Sequence, residues 1–194
     1  MSQPDHITAL KLNYPTRDQL PAEVKKYFDV CDEKLGMVPN VLQAYSQNLA
    51  QLEVFSKFYN ELMFGDSNLT ALEREMIAVA VSSQNHCFYC IVAHGAAVRK
   101  YSGNPALGEL IAINYRAADL SQRHRAMLDF AVKMTTSPDC IVESDRQALR
   151  DAEFSDQDIW DIANVAGFYN MTNRVAGSVD MQPNPEYHAL NRQQ

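Results

Sequence analysis

The chain has 194 residues, of which 46% are hydrophobic and 21% are charged, and its formal net charge is −7. This length can bury a core in one or at most two domains, and the composition is ordinary for a globular protein. The negative charge argues against nucleic acid or an anionic membrane as a partner, since both favour clustered lysine and arginine.

The first residues carry no targeting pattern. Met1 to His6 contain no basic segment that leads into an apolar stretch, and no run in the chain approaches the roughly 20 apolar residues of a membrane span. We therefore expect a cytoplasmic protein.

Few strand signals and many helix boundaries predict an all-α fold. A helix opens at Pro21 and ends before Gly36, and one amphipathic helix is predicted over residues 41–63. We interpret residues 1–65 as an N-terminal helical extension of the core.

The next helix carries a glutamate that needs a partner. Thr70 and Glu73 have the spacing of a capping box, so we expect the helix to begin there. Because this helix is apolar nearly all round, Glu75 points into apolar surroundings, where a carboxylate must be paired or lose its charge. We predict His94 as the partner; the alternative is that Glu75 is a surface residue of the first turn.

Cys87, Cys90 and His94 place a redox couple beside a proton acceptor. If residues 87–98 are helical, the cysteine Cα atoms are roughly 5 Å apart, within reach of a disulfide. His94 follows Cys90 by four residues and shares its helix face. We therefore predict Cys90 as the nucleophile, His94 as its base and Cys87 as the resolving thiol, with Glu75 completing a proton relay. A competing argument favours the first cysteine, because a helix N-terminus lowers a thiol pKa.

Several helices follow the motif, and a tail ends the chain. We interpret residues 66–180 as the helical core with the Cys-x-x-Cys site, and 181–194 as a tail that is loose or packs on a neighbour. The predicted helices cover residues 105–115 and 120–135, and two more open at the capping patterns Ser144–Gln147 and Ser155–Asp158 and end near Gly177.

A weak internal repeat at an offset of 51 residues predicts two related helical units. Leu69-Thr70 and Arg74 line up with Leu120-Ser121 and Arg125. Ala126 takes the place of Glu75, and no dithiol follows in the second copy, which we interpret as scaffold. Chance similarity between two amphipathic helices is the alternative.

Other polar residues and cysteines receive structural interpretations. Cys31 and Cys140 are isolated in the sequence, and we predict both to be small buried residues. Asn170, Asn173 and Arg174 have helical spacing, which indicates a helix-end cap or an intersubunit network rather than catalysis.

A longer pattern joins these residues: Glu75 is followed by eleven residues, then by Cys-x-x-Cys, three more residues and His94. This pattern resembles the alkylhydroperoxidase D-like branch of the carboxymuconolactone decarboxylase superfamily. Residues 85–90 and 168–176 resemble its peroxidase-related subgroup. The resemblance implies an all-helical fold that assembles into trimers or hexamers and reduces hydrogen peroxide or organic hydroperoxides. In that cycle the second cysteine attacks, the first resolves, and the glutamate and histidine relay protons.

The resemblance also implies an outside dithiol reductant, either a dihydrolipoyl group or a thioredoxin-like protein, and we expect no cofactor. This chain departs from the best-known members, which carry a histidine between the cysteines. Here Phe88 and Tyr89 occupy those positions and His86 lies just outside. A role for His86 or Tyr89 is therefore open.

Three other functions compete with the peroxidase. A zinc site is the first, since zinc prefers four ligands of the types found in His86, Cys87, Cys90 and His94. If one helix carried all four, however, the adjacent side chains of His86 and Cys87 would point about 100° apart, which opposes tetrahedral binding of one ion. The chain could also be a structural oligomeric protein with a vestigial dithiol. Some superfamily members lack the dithiol and decarboxylate their substrate, so a member without peroxidase activity is the third alternative.

Overall fold

The computed structural model describes residues 3–192, and within them it contains nine α-helices and no β-strand. The predicted all-α fold is confirmed. The helices are α1 (Ala22–Leu35), α2 (Asn40–Tyr45), α3 (Leu49–Phe64), α4 (Ala71–Gln84), α5 (Phe88–Ser102), α6 (Leu107–Asn114), α7 (Gln122–Thr136), α8 (Glu143–Asp151) and α9 (Asp156–Ser178).

Helix α4 is the centre of the molecule. Every residue from 73 to 82 is buried, and the helix packs against α5, α6, α7 and α9. A helix that is apolar on all sides is stable only when neighbours surround it, which accounts for this central position. Glu75 is therefore carried into the core.

The predicted capping box at the start of α4 is confirmed. The Thr70 backbone N–H donates to Glu73 Oε2 at 2.8 Å, and the Glu73 N–H donates to Thr70 Oγ1 at 3.2 Å. The other Glu73 oxygen accepts from Arg123 Nε at 2.8 Å, which ties α4 to α7.

The two repeated segments make the same kind of contact. Arg74 and Arg125 are each the fourth residue of their helix, and each donates to backbone carbonyls of the segment before it. Arg74 bonds Leu69 O at 3.1 Å and Gly65 O at 2.8 Å, while Arg125 bonds carbonyls 115 and 118 at 3.0 and 2.9 Å. These matching contacts favour related units over chance similarity.

Two predicted helix boundaries are wrong. The single helix over 41–63 is two helices, because Ser46 bonds back to the Gln43 carbonyl at 2.7 Å and Asn48 caps α3 by accepting from the Gln51 N–H at 3.3 Å. Short polar side chains that bond nearby backbone compete with the helix. Helix α8 begins at 143, before Ser144, because Asp145 accepts from the backbone N–H of residue 142 at 2.8 Å.

The C-terminal tail packs on its own chain, contrary to the prediction; its residues 193–194, like residues 1–2 of the predicted extension, lie outside the described residues. We call residues 181–192 the C-terminal strap. The buried Arg99 of α5 donates to Tyr187 O and Leu190 O, each at 3.0 Å, and Asn191 Nδ2 donates to Ala96 O at 3.1 Å. These bonds hold the strap against α5, the helix that contains Cys90.

Cys31 is buried as predicted, whereas Cys140 is exposed because it ends the short 3₁₀ turn Pro138–Cys140 at the surface. In the described part of the chain, none of the helices combines the length and apolar character that crossing a membrane requires.

Candidate active site

Glu75 and His94 meet between α4 and α5. Glu75 Oε2 lies 2.6 Å from His94 Nδ1, and the two side chains are only 5% and 12% exposed. Glu75 is therefore not a surface residue, and the predicted partner is next to it. The contact engages Nδ1 with the carboxylate and leaves Nε2 as the nitrogen that Glu75 does not engage.

Tyr169 of α9 packs against the same imidazole. The two rings meet edge to face with centroids 4.7 Å apart, and the Tyr169 hydroxyl lies 3.4 Å from His94 Nδ1. The hydroxyl also donates to Met63 Sδ at 3.5 Å, and burial raises its pKa well above the usual value. Tyr169 therefore stays protonated and limits the orientations open to His94.

The two thiols of the motif are free, and both are buried, at 3% and 4% exposure. Helix α5 begins at Phe88, one residue later than assumed, so Cys87 is its N-cap and Cys90 its third residue. His86 precedes them in a left-handed conformation with φ of 53° and is exposed. This turn folds α5 back along α4 and brings the dithiol beside α9.

The surroundings make Cys87 the more acidic thiol. Its pKa is lowered to about 7, chiefly by the hydrogen bond from the Cys90 thiol, with help from the Cys90 backbone N–H, the charge of His94 and the amide of Asn173, and against the effect of burial. The Cys87 side chain makes no full capping hydrogen bond, so the Cys90 N–H acts as a nearby dipole. The pKa of Cys90 is raised well above normal by its hydrogen bond to Cys87 and by burial.

A cavity of about 590 Å³ opens beside this pair of sulfurs. Among the described residues, its lining includes Cys90, His94 and Glu75 but not Cys87. Much of the wall is aromatic, with Tyr45, Phe55, Tyr59, Phe168, Tyr169 and Tyr187. The thiol that faces the cavity is therefore not the thiol that ionises first.

Sequence reasoning interpreted Asn173 only as a helix-end cap or intersubunit residue, and it missed Ser82 and Asn85 at the end of α4, which bond Asn173 beside the dithiol. Asn173 is 2% exposed, and its Nδ2 donates to Ser82 Oγ at 3.0 Å. Asn85 Nδ2 donates to Asn173 Oδ1 at 3.0 Å and to Asn170 Oδ1 at 3.1 Å. Asparagine side chains at helical spacing in an otherwise apolar helix were the available signal, because buried amides need partners.

The proposed zinc ligands do not come together. Within residues 3–192, no three side chains of histidine, cysteine, aspartate or glutamate are placed to hold a metal ion. His86 points to the surface region of the turn, whereas both cysteines are buried. The four residues therefore offer no assembled metal site.

Comparisons with known proteins show the family of the chain. Residues 51–112 match the model of the carboxymuconolactone decarboxylase family. An uncharacterized peroxidase-related protein from Silicibacter sp. TM1040 is 58% identical, with a TM-score of 0.94 over 99% of this chain and 100% of that chain. The comparison with curated proteins found no match.

Two further solved structures share the fold. An uncharacterized peroxidase-related protein from Ralstonia eutropha JMP134, described as an alkylhydroperoxidase AhpD core, is 37% identical, with a TM-score of 0.93 over 98% of this chain and 99% of that chain. The debrominase Bmp8 is 20% identical, with a TM-score of 0.78 over 92% and 95%, and this shows the fold alone. The chain belongs to the alkylhydroperoxidase D-like, peroxidase-related group of the carboxymuconolactone decarboxylase superfamily.

Proposed function

We propose that the protein is a thiol-dependent peroxidase that reduces hydrogen peroxide or organic hydroperoxides through a dithiol/disulfide cycle of Cys87 and Cys90. The observation that carries the proposal is a buried pair of interacting thiols beside a hydrogen-bonded Glu75–His94 pair, with Cys90 and His94 lining one cavity. Membership of a family whose relatives are called peroxidase-related supports it.

In the first step Cys90 attacks the distal oxygen of the hydroperoxide. The resting pair holds one negative charge, on Cys87, and the Cys90 thiol donates a hydrogen bond to it. As Cys90 attacks, its proton passes along this bond to Cys87, and the O–O bond breaks. Protonated His94 gives a proton to the departing oxygen, which leaves as an alcohol or as water, and Cys90 becomes a sulfenic acid.

In the second step Cys87 attacks the sulfur of the Cys90 sulfenic acid. His94, now neutral, carries the Cys87 proton to the departing hydroxide, so that water leaves and a disulfide forms. Glu75 holds the imidazole at Nδ1 through both transfers. An outside dithiol then reduces the disulfide, and one of the two protons it supplies returns to His94 as Cys87 ionises.

Two features favour Cys90 as the attacking sulfur although Cys87 is the more acidic. Cys90 lines the cavity in which a peroxide can bind, and the proton it must lose has an acceptor at the other end of its own hydrogen bond. The Cys87 thiolate then acts as the base, and a helix N-terminus is a suitable place for that charge.

The test is steady-state consumption of hydrogen peroxide and cumene hydroperoxide with a dithiol donor, comparing dihydrolipoamide with thioredoxin. We expect wild-type protein to turn over and Cys90→Ser to be inactive, whereas Cys87→Ser should give a single slow oxidation without turnover. Cys140→Ser, at an exposed cysteine outside the motif and outside the cavity lining, is the control and should keep its activity. Full turnover by Cys90→Ser would remove the proposed nucleophile.

A further inference from the structure

Asn173 of α9 is held in one orientation at the dithiol. Its side chain is buried, and its Oδ1 accepts the N–H of Asn85 at 3.0 Å. Because that bond fixes the oxygen, the NH₂ group is turned the other way, where one N–H reaches Ser82 Oγ at 3.0 Å. An asparagine amide has two N–H donors, so a second one remains that the bond to Ser82 does not use.

The Asn173 amide is a neighbour of both motif cysteines. Contact with the Asn173 amide lowers the pKa of Cys87 and of Cys90, and contact with Ser82 lowers that of Cys90 as well. The Cys87 backbone N–H donates to Ser82 O at 2.9 Å, which fixes the first cysteine next to the same serine. Ser82, Asn173 and the two thiols therefore form one buried polar cluster.

We propose that Asn173 is a thiolate-binding catalytic residue: its amide, oriented by Asn85, donates to whichever of Cys87 and Cys90 carries negative charge. This inference deepens the proposed function and rests on it. The charge lies on Cys87 in the resting pair, shifts to Cys90 during attack, and appears again on a leaving sulfur when the disulfide is reduced. One fixed donor between two sulfurs can serve all three states without moving.

Asn85 is the positioning residue of this arrangement. It caps the end of α4, and its NH₂ group bridges the oxygens of Asn173 and Asn170. Asn170 is itself held by its bond to Thr135 Oγ1 at 3.0 Å. Without Asn85, the Asn173 amide could rotate and present its oxygen to the sulfurs instead.

The test measures the acidity of the reactive thiol in the reduced protein, from the pH dependence of its alkylation rate. The midpoint should lie near 7 in wild type. Asn173→Leu keeps the approximate size and removes the donor, and it should raise the midpoint by about one to two pH units, as expected for losing a hydrogen bond to a charged group. Asn173→Asp puts a carboxylate in the same place and should raise it further.

Two additional variants make the result specific. Asn85→Ala leaves Asn173 in place and should raise the midpoint by a smaller amount, which tests the inference even if the Asn173 variants do not fold. Asn164→Leu is the matched control, since this asparagine is on α9 and its amide bonds only Trp160 O among the contacts of the described chain. Its midpoint should equal that of wild type.

The ionisable groups around the sulfurs are Glu75 on α4, Tyr89 and His94 on α5, Tyr169 on α9 and Tyr187 in the strap. The substitutions leave all of them unchanged, so a shift reports on the amide. An unchanged midpoint in folded Asn173→Leu, or in Asn85→Ala, would overturn the inference. The alkylation assay uses no peroxide, so it is independent of the peroxidase assay. A shifted midpoint in a protein that does not turn over peroxide would contradict the proposed function and not the contact between Asn173 and the thiolate.

Discussion

At the scale of single residues, the two sulfurs differ in acidity and in access. Cys87 is the N-cap of α5 and has the lower pKa, while Cys90 lines the cavity and keeps its proton. The two thiols interact so that the pKa of Cys87 is lowered and that of Cys90 is raised, and the negative charge therefore forms first on Cys87. The pH dependence of oxidation should therefore follow Cys87 even though Cys90 attacks.

The first prediction concerns the charge of His94. Thiolate forms above the pKa of Cys87, so the rate of thiol oxidation should rise with pH through about 7. The positive charge of His94 lowers that pKa, so His94→Gln should move the midpoint upward by about one unit. Loss of the proton donor should also slow oxidation by about 10²-fold or more.

Stopped-flow oxidation at a series of pH values measures both effects. His124→Gln on α7 is the control, since this histidine lies 3.8 Å from the Glu73 carboxylate and makes no contact with Glu75 among the ion pairs of the described residues. A His94→Gln profile with the wild-type midpoint would show that the imidazole charge does not act on the thiols.

The Glu75–His94 contact could be predicted from sequence because both reasons for it are local. An apolar helix surrounds Glu75, and a buried carboxylate needs a partner. Asn173 could not be placed in this way, because its partners lie about ninety positions earlier in the chain, at Ser82 and Asn85. Only the packing of α9 on α4 brings those groups together.

At the scale of helices, the dithiol helix is held by a close crossing with α6. A Cβ atom added to Gly108 would lie 2.9 Å from the Gly95 carbonyl oxygen and 3.2 Å from the Gly95 Cα. Both neighbours are backbone atoms of α5, which cannot turn aside as a side chain can. Gly108 therefore allows α6 to lie directly on the helix that carries Cys90 and His94.

The second prediction follows from this crossing. Gly108→Ala should lower the free energy of unfolding by about 1–3 kcal/mol, because overpacking outweighs the roughly 1 kcal/mol gained in helix propensity. Urea unfolding measures the change. Gly177→Ala is the control, since a Cβ there meets no atom within 4 Å, and its stability should be unchanged or slightly higher. Equal effects at both positions would contradict the close-packing argument.

Helix starts were predictable where the cap is a nearby side chain, as at Thr70 and Ser155, which both form their capping boxes. The interruption between α2 and α3 was not, because the apolar pattern continues through it. Asn48 acts there as a cap, although the sequence pattern does not distinguish it from a polar residue on the exposed face of a helix.

At the scale of the whole molecule, the C-terminal strap closes over the site. Tyr187 of the strap belongs to the same apolar cluster as Cys87, Tyr89 and Cys90, and Arg99 fixes the strap through two carbonyls. The strap also reaches the N-terminal segment, where Asn184 Oδ1 accepts from the Asn40 N–H at 2.7 Å. The strap thus contacts both the cluster around the dithiol and the start of α2. Assembly into trimers or hexamers stays a prediction.

The third prediction tests the strap. Arg99→Met keeps the apolar part of the side chain and removes the hydrogen-bond donors. It should lower the free energy of unfolding by about 2–3 kcal/mol and loosen residues 181–192. Hydrogen exchange in the strap should become faster, and the motif thiols should react faster with a small alkylating reagent. Arg116→Met, at an exposed arginine paired with Asp129, is the control and should change neither rate. Wild-type thiol reactivity in Arg99→Met would show that the strap does not limit access.

The most direct test of the proposed dithiol cycle is to treat reduced protein with one equivalent of hydroperoxide and map the cysteines by alkylation and mass spectrometry. We expect Cys87 and Cys90 to be recovered as one disulfide-linked peptide, Cys31 and Cys140 to remain free, and added dithiol to restore both motif thiols. Recovery of Cys87 and Cys90 as free thiols after full exposure to peroxide would contradict the account.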